Sequence, residues 1–250
     1  MVEAMLLLQA RDLVKRYGGR AVVDQVSYQI SSGEIVGLLG PNGAGKTTVF
    51  RMTVGMIEPE AGTVTFNGQD ITHLPMYKRA QLGMGYLPQE STIFARLTVE
   101  QNLMAILEML RIPRRVQWER CERLMEQFGL TPLRRQRART LSGGEQRKLE
   151  IARALVTNPT LIMLDEPFSG VEPKAVQDLQ QEILRLKREH NIAILLTDHN
   201  VVEALRITSR AYILYEGKLL AQGDPVSLVR NEMVRKNFLG ENIRAEEFLL

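Results

Sequence analysis

The chain has few of the features that mark secreted or membrane-spanning proteins. It contains one cysteine, Cys121, among 250 residues, which excludes an internal disulfide and a thiolate metal cluster and agrees with a reducing compartment. No uninterrupted apolar run approaches the roughly 18 to 20 residues that a membrane-spanning helix needs. The apolar stretch at 4–8 is short, follows Glu3 and precedes Arg11 and Asp12, unlike a signal peptide. A cytoplasmic protein is therefore expected.

An excess of charge of one sign is also lacking. The formal net charge is +3, and both signs are interspersed along most of the chain, so we expect no direct nucleic-acid partner. The local exception is a run of four arginines, Arg134, Arg135, Arg137 and Arg139. Such a run is usually a solvated face. Contact with a protein partner or with lipid head groups is the alternative.

Apolar and amphipathic segments alternate, without internal repeats or a Gly/Ser linker. Short apolar runs at 35–39, 161–164 and 192–197 indicate buried, parallel strands. Each is followed by polar residues and then by a helical pattern, which is clearest at 175–190. Strands alternating with helices predict an α/β fold with right-handed crossovers and a parallel sheet.

Two other regions depart from this alternation. Between Glu100 and Val156 the apolar residues recur at helical spacing, which predicts a helical subdomain at about residues 92–158, inserted between two strands. Residues 21–30 and 62–67 instead carry β-branched or alternating residues beside turn signals such as Asn67-Gly68. An N-terminal antiparallel β layer is therefore expected to lead into the parallel sheet core.

A P-loop pattern follows the first apolar strand and opens a helix, as a P-loop must. Its residues are Gly40, Pro41, Asn42, Gly43, Ala44, Gly45, Lys46, Thr47 and Thr48. The glycines let backbone N–H groups surround the phosphates of ATP, and the helix N-terminus adds favourable partial charge. Lys46 is expected to reach the β- and γ-phosphates, and the Thr47 hydroxyl to ligate Mg²⁺. The alternative, an ordinary glycine-rich turn, does not account for the strand before it and the helix after it.

Two acids, Asp165 and Glu166, end the apolar run at 161–164. This placement puts both at the carboxyl end of a sheet strand, where α/β folds bind ligands. Asp165 is expected to hold Mg²⁺ or its water, and Glu166 to orient and deprotonate the attacking water. A pair of acids after a strand can also be a solvated helix cap. The P-loop more than a hundred residues upstream favours the catalytic interpretation.

The segment Leu141-Ser-Gly-Gly-Glu-Gln146 resembles the signature motif of the ABC superfamily. By itself the segment is more typical of an ordinary helix N-cap. The chain also has Tyr17, Gln89, the segment 169–173 and His199 in the positions and order of that superfamily's A-, Q-, D- and H-loops. The resemblance implies a P-loop NTPase fold of the ABC nucleotide-binding type, spanning about 5–240, with 241–250 as a C-terminal tail.

The same resemblance implies a head-to-tail homodimer that holds two ATP molecules, each between one P-loop and the partner's signature helix. Tyr17 would stack on adenine, Gln89 would contact Mg²⁺ and link to a membrane subunit, and His199 would hold the γ-phosphate and water. The signature residues that contact ATP from the partner copy would be Ser142, Gly143, Gly144 and Glu145, the first three at the γ-phosphate. Glu172 stands where the superfamily usually has aspartate.

Several segments are similar to the ATPase subunits of lipopolysaccharide exporters, and the similarity runs from about 7 to 243. They are Tyr86-Leu-Pro-Gln89-Glu-Ser-Thr-Ile-Phe94, Asp165-Glu-Pro-Phe-Ser-Gly170, Thr197-Asp-His-Asn200 and Phe238-Leu-Gly-Glu-Asn242. Ala95 stands where a basic residue is expected. The resemblance implies integral membrane permease subunits as partners and membrane contact only through them, at the inner face of the cytoplasmic membrane. ATPases of amino-acid uptake, and soluble ABC ATPases acting on ribosomes or DNA, remain as alternatives.

Overall fold

A computed structural model describes residues 5–170 and 172–239 of the chain. The strands are β1 (Leu6–Tyr17), β2 (Arg20–Ser31), β3 (Ile35–Leu39), β4 (Ala61–Phe66), β5 (Gln69–Asp70), β6 (Met84–Leu87), β7 (Leu161–Asp165), β8 (Ala193–Asp198), β9 (Arg210–Tyr215) and β10 (Lys218–Gly223). The α-helices are α1 (Lys46–Val54), α2 (Met76–Gln81), α3 (Val99–Leu107), α4 (Arg114–Gln127), α5 (Gly143–Leu155), α6 (Pro173–His190), α7 (Val201–Leu205), α8 (Pro225–Arg230) and α9 (Glu232–Val234).

Four strands near the N-terminus form an antiparallel sheet in the order β2-β1-β4-β5. The turn between β4 and β5 is Asn67-Gly68, both with positive φ, 51° and 76°, as a tight hairpin requires. The expected antiparallel layer is therefore confirmed. The sequence reasoning did not identify β1, the strand that joins β2 to β4.

The remaining strands form the second sheet, in the order β10-β9-β3-β8-β7-β6. From β9 to β6 all neighbours are parallel, and β10 closes the edge as an antiparallel hairpin partner of β9. The three strands expected from the apolar runs are β3, β7 and β8, so those predictions are confirmed within one residue. Strands β6, β9 and β10 were not predicted.

The central strand β3 is buried on both faces, which explains its continuous apolar run. Ile35 and Leu39 pack into one hydrophobic cluster with the helices of the 92–158 region. Val36 and Leu38 pack into the other, with Phe50 of α1 and the antiparallel sheet. Because side chains alternate along a strand, β3 separates two layers of core.

Helices α3, α4 and α5 lie in the chain between β6 and β7, which are neighbours in the sheet. The expected apolar faces are present, since Leu103, Leu107, Leu124, Met125 and Phe128 are all buried. The proposed limits 92–158 and 5–240 stay predictions, and the tail at 241–250 lies outside the described residues. Among the residues that the structure describes, no helix is both long and apolar enough to cross a membrane.

Candidate functional site

The loop between β3 and α1 carries a buried lysine. Lys46 is 4% exposed, and its Nζ donates to the carbonyl oxygens of Gly40 at 2.8 Å and Pro41 at 2.9 Å. Burial lowers the pKa of this ammonium, while the nearby charges of Glu166, Asp198 and Asp165 oppose the change. The cation therefore lies within the field of three carboxylates.

Other parts of the chain contact the backbone of the loop between β3 and α1. A Cβ on Gly40 would lie 2.2 Å from the carbonyl oxygen of Leu214, and one on Gly45 would lie 2.6 Å from that of Val22. In addition, the N–H of Gly217 donates to the carbonyl of Ala44 at 3.1 Å. Strand β2 and the β9–β10 turn thus fix the loop's shape, and these supports were not found from the sequence.

The first turn of α1 points its backbone donors toward the loop. The N-cap is Gly45 in the left-handed conformation, and no side chain caps the helix. Since the first N–H groups of an α-helix have no partner within it, they are suited to bind an anion. Thr47 and Thr48 lie half-buried in this turn.

The carboxyl end of β7 places Asp165 beside the end of β8, where its register partner is Thr197. The Thr197 hydroxyl donates to Asp165 Oδ1 at 2.7 Å and accepts from the Glu166 N–H at 3.2 Å. Burial raises the pKa of Asp165, and the bond from Thr197 counteracts this. Asp165 is therefore a buried, oriented carboxylate and not a solvated helix cap.

Glu166 and His199 meet at the same edge. Glu166 has a left-handed backbone, with φ 45°, an uncommon state for a non-glycine residue and often found at functional sites. His199 Nδ1 lies 3.3 Å from Glu166 Oε2. Because an ionised carboxylate only accepts hydrogen bonds, Nδ1 is the donor. The His199 side chain is 42% exposed, so it is not a core residue.

The structure adds Asp198, which the sequence reasoning did not select. It is fully buried, and its carboxylate accepts from the N–H of Phe168 at 3.0 Å and of Asn200 at 2.8 Å. Burial raises its pKa, against the effect of these two bonds. Asp198 thereby fixes the loops on both sides of the Glu166–His199 pair. The signal in the sequence was an acid ending a strand, as at Asp165.

Gln89 and Tyr17, which the sequence also predicts for the site, lie beside this edge of the sheet. Gln89 is exposed two residues after β6, and its Nε2 donates to Ser169 Oγ at 3.3 Å, which joins the expected Q-loop to the segment after Glu166. Tyr17 ends β1 and is 51% exposed, next to the strand that supports the P-loop. An exposed ring there is available for stacking.

The signature segment is a helix cap that faces solvent. The N-cap of α5 is Ser142, whose N–H and hydroxyl both donate to Glu145 Oε2 at 2.8 Å, while the Glu145 N–H donates back to Ser142 Oγ at 3.4 Å. These bonds lower the pKa of Glu145. Side chains at Gly143 and Gly144 would meet open space. The segment therefore caps α5 and leaves Gly143 and Gly144 exposed.

Comparison with known proteins agrees with this geometry. The model of the ABC transporter family matches residues 23–169. The lipopolysaccharide export system ATP-binding protein LptB of Haemophilus influenzae is 48% identical over 241 residues, which cover 96% of this chain and 100% of that protein. The protein of the same name in Escherichia coli gives the same identity and coverage. A probable ABC transporter ATP-binding protein of Azorhizobium caulinodans is 48% identical, covering 95% of this chain and 84% of its own length.

Solved structures share the fold. The ADP conformation of an ATP-binding cassette of an ABC transporter superposes with a TM-score of 0.84 at 28% identity, covering 95% of this chain and 100% of that one. A cassette described as a dimer in a post-hydrolysis state, bound to ADP and Pi, superposes with a TM-score of 0.75. It covers 88% of this chain and 99% of its own, but at 22% identity it shows the fold alone.

Proposed function

Since this chain belongs to the ABC transporter family and is an ATPase, we propose that it is the motor subunit that drives lipopolysaccharide export through membrane-embedded partners. The observation that carries the proposal is the 48% identity to LptB of two species, over 96% of this chain and the full length of those proteins. The convergence of the P-loop, Asp165, Glu166 and His199 at one sheet edge supports it.

In the proposed reaction, the loop at 40–48 surrounds the phosphates of ATP and Lys46 neutralises their charge. Glu166 accepts a proton from the attacking water, whose oxygen bonds to the γ-phosphorus as the bond to the leaving oxygen of ADP breaks. His199 keeps the Glu166 carboxylate in place through Nδ1. When the ring is protonated, its second nitrogen can donate to a phosphate oxygen. Tyr17 stacks on the adenine.

A magnesium ion fits the donor set at this edge. Thr47, Asp165 and Gln89 offer hydroxyl, carboxylate and amide oxygens, the hard ligands that Mg²⁺ prefers. The bond from Thr197 engages Oδ1 of Asp165, and Gln89 uses its Nε2 toward Ser169, so one oxygen of each remains to bind metal or its water. The described residues contain no group of three or more His, Cys, Asp or Glu that could hold a metal, as expected where phosphates supply ligands. The ion would neutralise charge on the β- and γ-phosphates.

The proposed working form is a head-to-tail homodimer. The side chains of Ser142 and Glu145 hydrogen-bond within the cap, and Gly143 and Gly144 are exposed. The backbone N–H groups at this helix N-terminus are thus open to a phosphate held by a second copy. ATP shared between copies would bind the closed dimer more tightly than the open one, which is what shifts a conformational equilibrium. Hydrolysis would remove this preference, and the dimer would reopen.

The proposed partners are integral membrane subunits, with this chain at the inner face of the cytoplasmic membrane. A tagged Glu166→Gln variant tests the assignment, because it should bind ATP, hydrolyse it at a small fraction of the normal rate and trap the loaded complex. We expect detergent-solubilised membranes to yield this variant together with hydrophobic subunits and lipopolysaccharide.

The proteins and lipids that copurify with the Glu166→Gln variant distinguish lipopolysaccharide export from the alternative functions. Capture of a solute-binding protein with amino acid, and without lipopolysaccharide, would replace export by amino-acid uptake. Retention on ribosomes or DNA, with a steep salt dependence, would instead indicate a soluble ABC ATPase. Wild-type chain prepared in the same way without nucleotide is the control for non-specific lipid.

A further inference from the structure

The arginine run noted in the sequence is paired with the short segment that leads into α3. The N–H of Ala138 donates to the carbonyl oxygen of Leu97 at 2.9 Å, and the N–H of Arg139 donates to that of Ala95 at 3.0 Å. Backbones paired side by side lie about 5 Å apart. Arg96 stands between the two acceptor residues, so the fold places a further arginine beside the run, from a segment that is distant in the chain.

The backbone that carries these arginines is fixed, and their side chains are exposed. Ala138 is fully buried in a hydrophobic cluster of the core, whereas Arg137 and Arg139 on either side of it are exposed. Arg96 and Arg135 are exposed as well. We call these four arginines the basic patch. Because the core already holds the backbone in place, binding a partner here would order side chains only, which keeps the loss of conformational entropy small.

The charge of the basic patch is not neutralised within the chain. Arg134, the first arginine of the run, pairs with Glu100 of α3 and Glu122 of α4. Within the part of the chain that the structure describes, the four arginines of the basic patch take part in no ion pair. Like charges held close together repel one another. Their summed positive potential favours a partner that carries several negative charges.

The surroundings of the basic patch favour lipid head groups over an acidic protein. The other exposed side chains in this stretch, those of Gln136 and Thr140, are polar. A protein interface usually has a buried core that is poor in charge and rich in aromatic residues. Binding to an anionic lipid surface instead needs a cluster of basic residues, because the negative surface potential attracts each of them.

We propose that the basic patch binds the anionic head groups of membrane lipids directly. The inference rests on the proposed function, which puts the chain at the inner face of the cytoplasmic membrane with a membrane subunit near Gln89. Arg96 belongs to the segment that follows Gln89, so the basic patch borders that contact. The resemblance by itself implies membrane contact only through partners, and the lipid contact is an addition to it.

The test measures cosedimentation of the full-length chain with vesicles of phosphatidylcholine alone, or of equal parts phosphatidylcholine and phosphatidylglycerol. We expect binding to the anionic vesicles only, and weaker binding as the salt concentration rises, because salt screens exposed charges. Each arginine near an anionic surface raises the partition coefficient by about fivefold. The variant Arg135→Gln/Arg137→Gln/Arg139→Gln should therefore bind about a hundredfold more weakly.

Two further variants separate the basic patch from net charge. Arg96→Gln alone should weaken binding by about fivefold, a result that depends on the fold because Arg96 lies outside the run. The matched control, Arg11→Gln/Arg230→Gln/Lys236→Gln, removes three exposed cations elsewhere and lowers the net charge by as much as the triple variant of the run. Its binding should change by less than about twofold, since charges far from the lipid surface are screened.

Replacement of the same three arginines by lysine tests whether charge is the cause. Arg135→Lys/Arg137→Lys/Arg139→Lys should bind the anionic vesicles within about twofold of wild type, because the surface potential acts on either cation. Urea denaturation with an unchanged midpoint checks that each variant is folded.

Three results would overturn the proposal. Equal losses in the glutamine variant of the run and in the control would reduce the effect to net charge. Undiminished vesicle binding by the glutamine variant, together with weaker capture of membrane subunits, would assign the basic patch to a protein contact. Tighter binding of wild type to DNA than to anionic vesicles, lost in the same variant, would assign it to nucleic acid. If the glutamine variant does not fold, unchanged binding by Arg96→Gln is the refuting result.

Failure of the proposed function is distinguishable from failure of the lipid contact, because the vesicles contain no membrane subunit. A wild-type chain that captures no membrane subunit, yet binds anionic vesicles through the basic patch, would contradict the proposed export function and support the lipid contact. A chain that captures membrane subunits and lipopolysaccharide, yet ignores anionic vesicles, would support the export function and overturn the lipid contact.

Discussion

Removing one hydroxyl group, by Thr197→Val, should weaken the fold and the catalytic site together. Thr197 is fully buried and Asp165 is 7% exposed, and the hydroxyl donates to the carboxylate at 2.7 Å. A hydrogen bond to a charged group contributes about 1.5 to 3 kcal/mol, and the carboxylate left behind is poorly compensated. We therefore expect the free energy of unfolding at neutral pH to fall by about 2 kcal/mol.

The same change should alter the pH dependence. The bond from Thr197 lowers the pKa of Asp165, so its loss lets burial raise that pKa further. Because the proposed role needs an ionised carboxylate, ATP turnover should fall by about tenfold, with its acid limb moved to higher pH. An acid with a raised pKa in the folded state loses stability as pH rises through that pKa. The difference in unfolding free energy between variant and wild type should thus be larger at neutral pH than near about pH 4.

Urea denaturation and phosphate release, each across pH, measure these effects. The control is Thr72→Val, because the Thr72 hydroxyl also donates to a carboxylate, Asp70 Oδ1 at 2.6 Å, and accepts from the Val64 N–H at 2.9 Å. That variant should lose stability and keep normal turnover with an unshifted acid limb. Turnover of Thr197→Val within about twofold of wild type, with the acid limb in place, would refute the reasoning.

Three further predictions follow from the site. Glu166→Gln should retain ATP binding, lose phosphate release and accumulate as a closed dimer in size-exclusion chromatography with ATP; undiminished phosphate release would remove Glu166 from its proposed role. Gly40→Ala should lower the free energy of unfolding in urea by about 4 kcal/mol, because its Cβ would lie 2.2 Å from the Leu214 carbonyl oxygen. A Cβ at Gly43 would meet open space, so Gly43→Ala should lower the same free energy by only about 1 to 2 kcal/mol. Equal losses in the two variants would contradict this reasoning. Chelation by EDTA should abolish turnover and leave the unfolding midpoint in the absence of nucleotide unchanged, and activity that survives chelation would exclude the proposed magnesium role.

Residues outside the site show where sequence reasoning needed the fold. The arginine run was expected to be a solvated face, and Arg135, Arg137 and Arg139 are exposed. Arg134, however, is paired with Glu100 of α3 and with Glu122 of α4, and these contacts depend on how the two helices pack. Cys121 is a buried free thiol whose pKa is raised by burial to about 12, which agrees with an inert packed cysteine.

The sequence by itself determined the α/β class, three of the parallel strands and the residues of the P-loop, because local patterns of apolar residues and glycines report directly on strands, helices and phosphate loops. It also predicted the acids after β7. Only the tertiary structure decided which groups support them. Thr197 and Asp198 act through contacts between neighbouring strands, and Gly217 reaches the P-loop from a hairpin more than 170 residues away. Such contacts depend on the order of the strands in the sheet, β10-β9-β3-β8-β7-β6. Packing among segments that are distant in the chain sets this order, and no single segment carries a periodic pattern that reveals it.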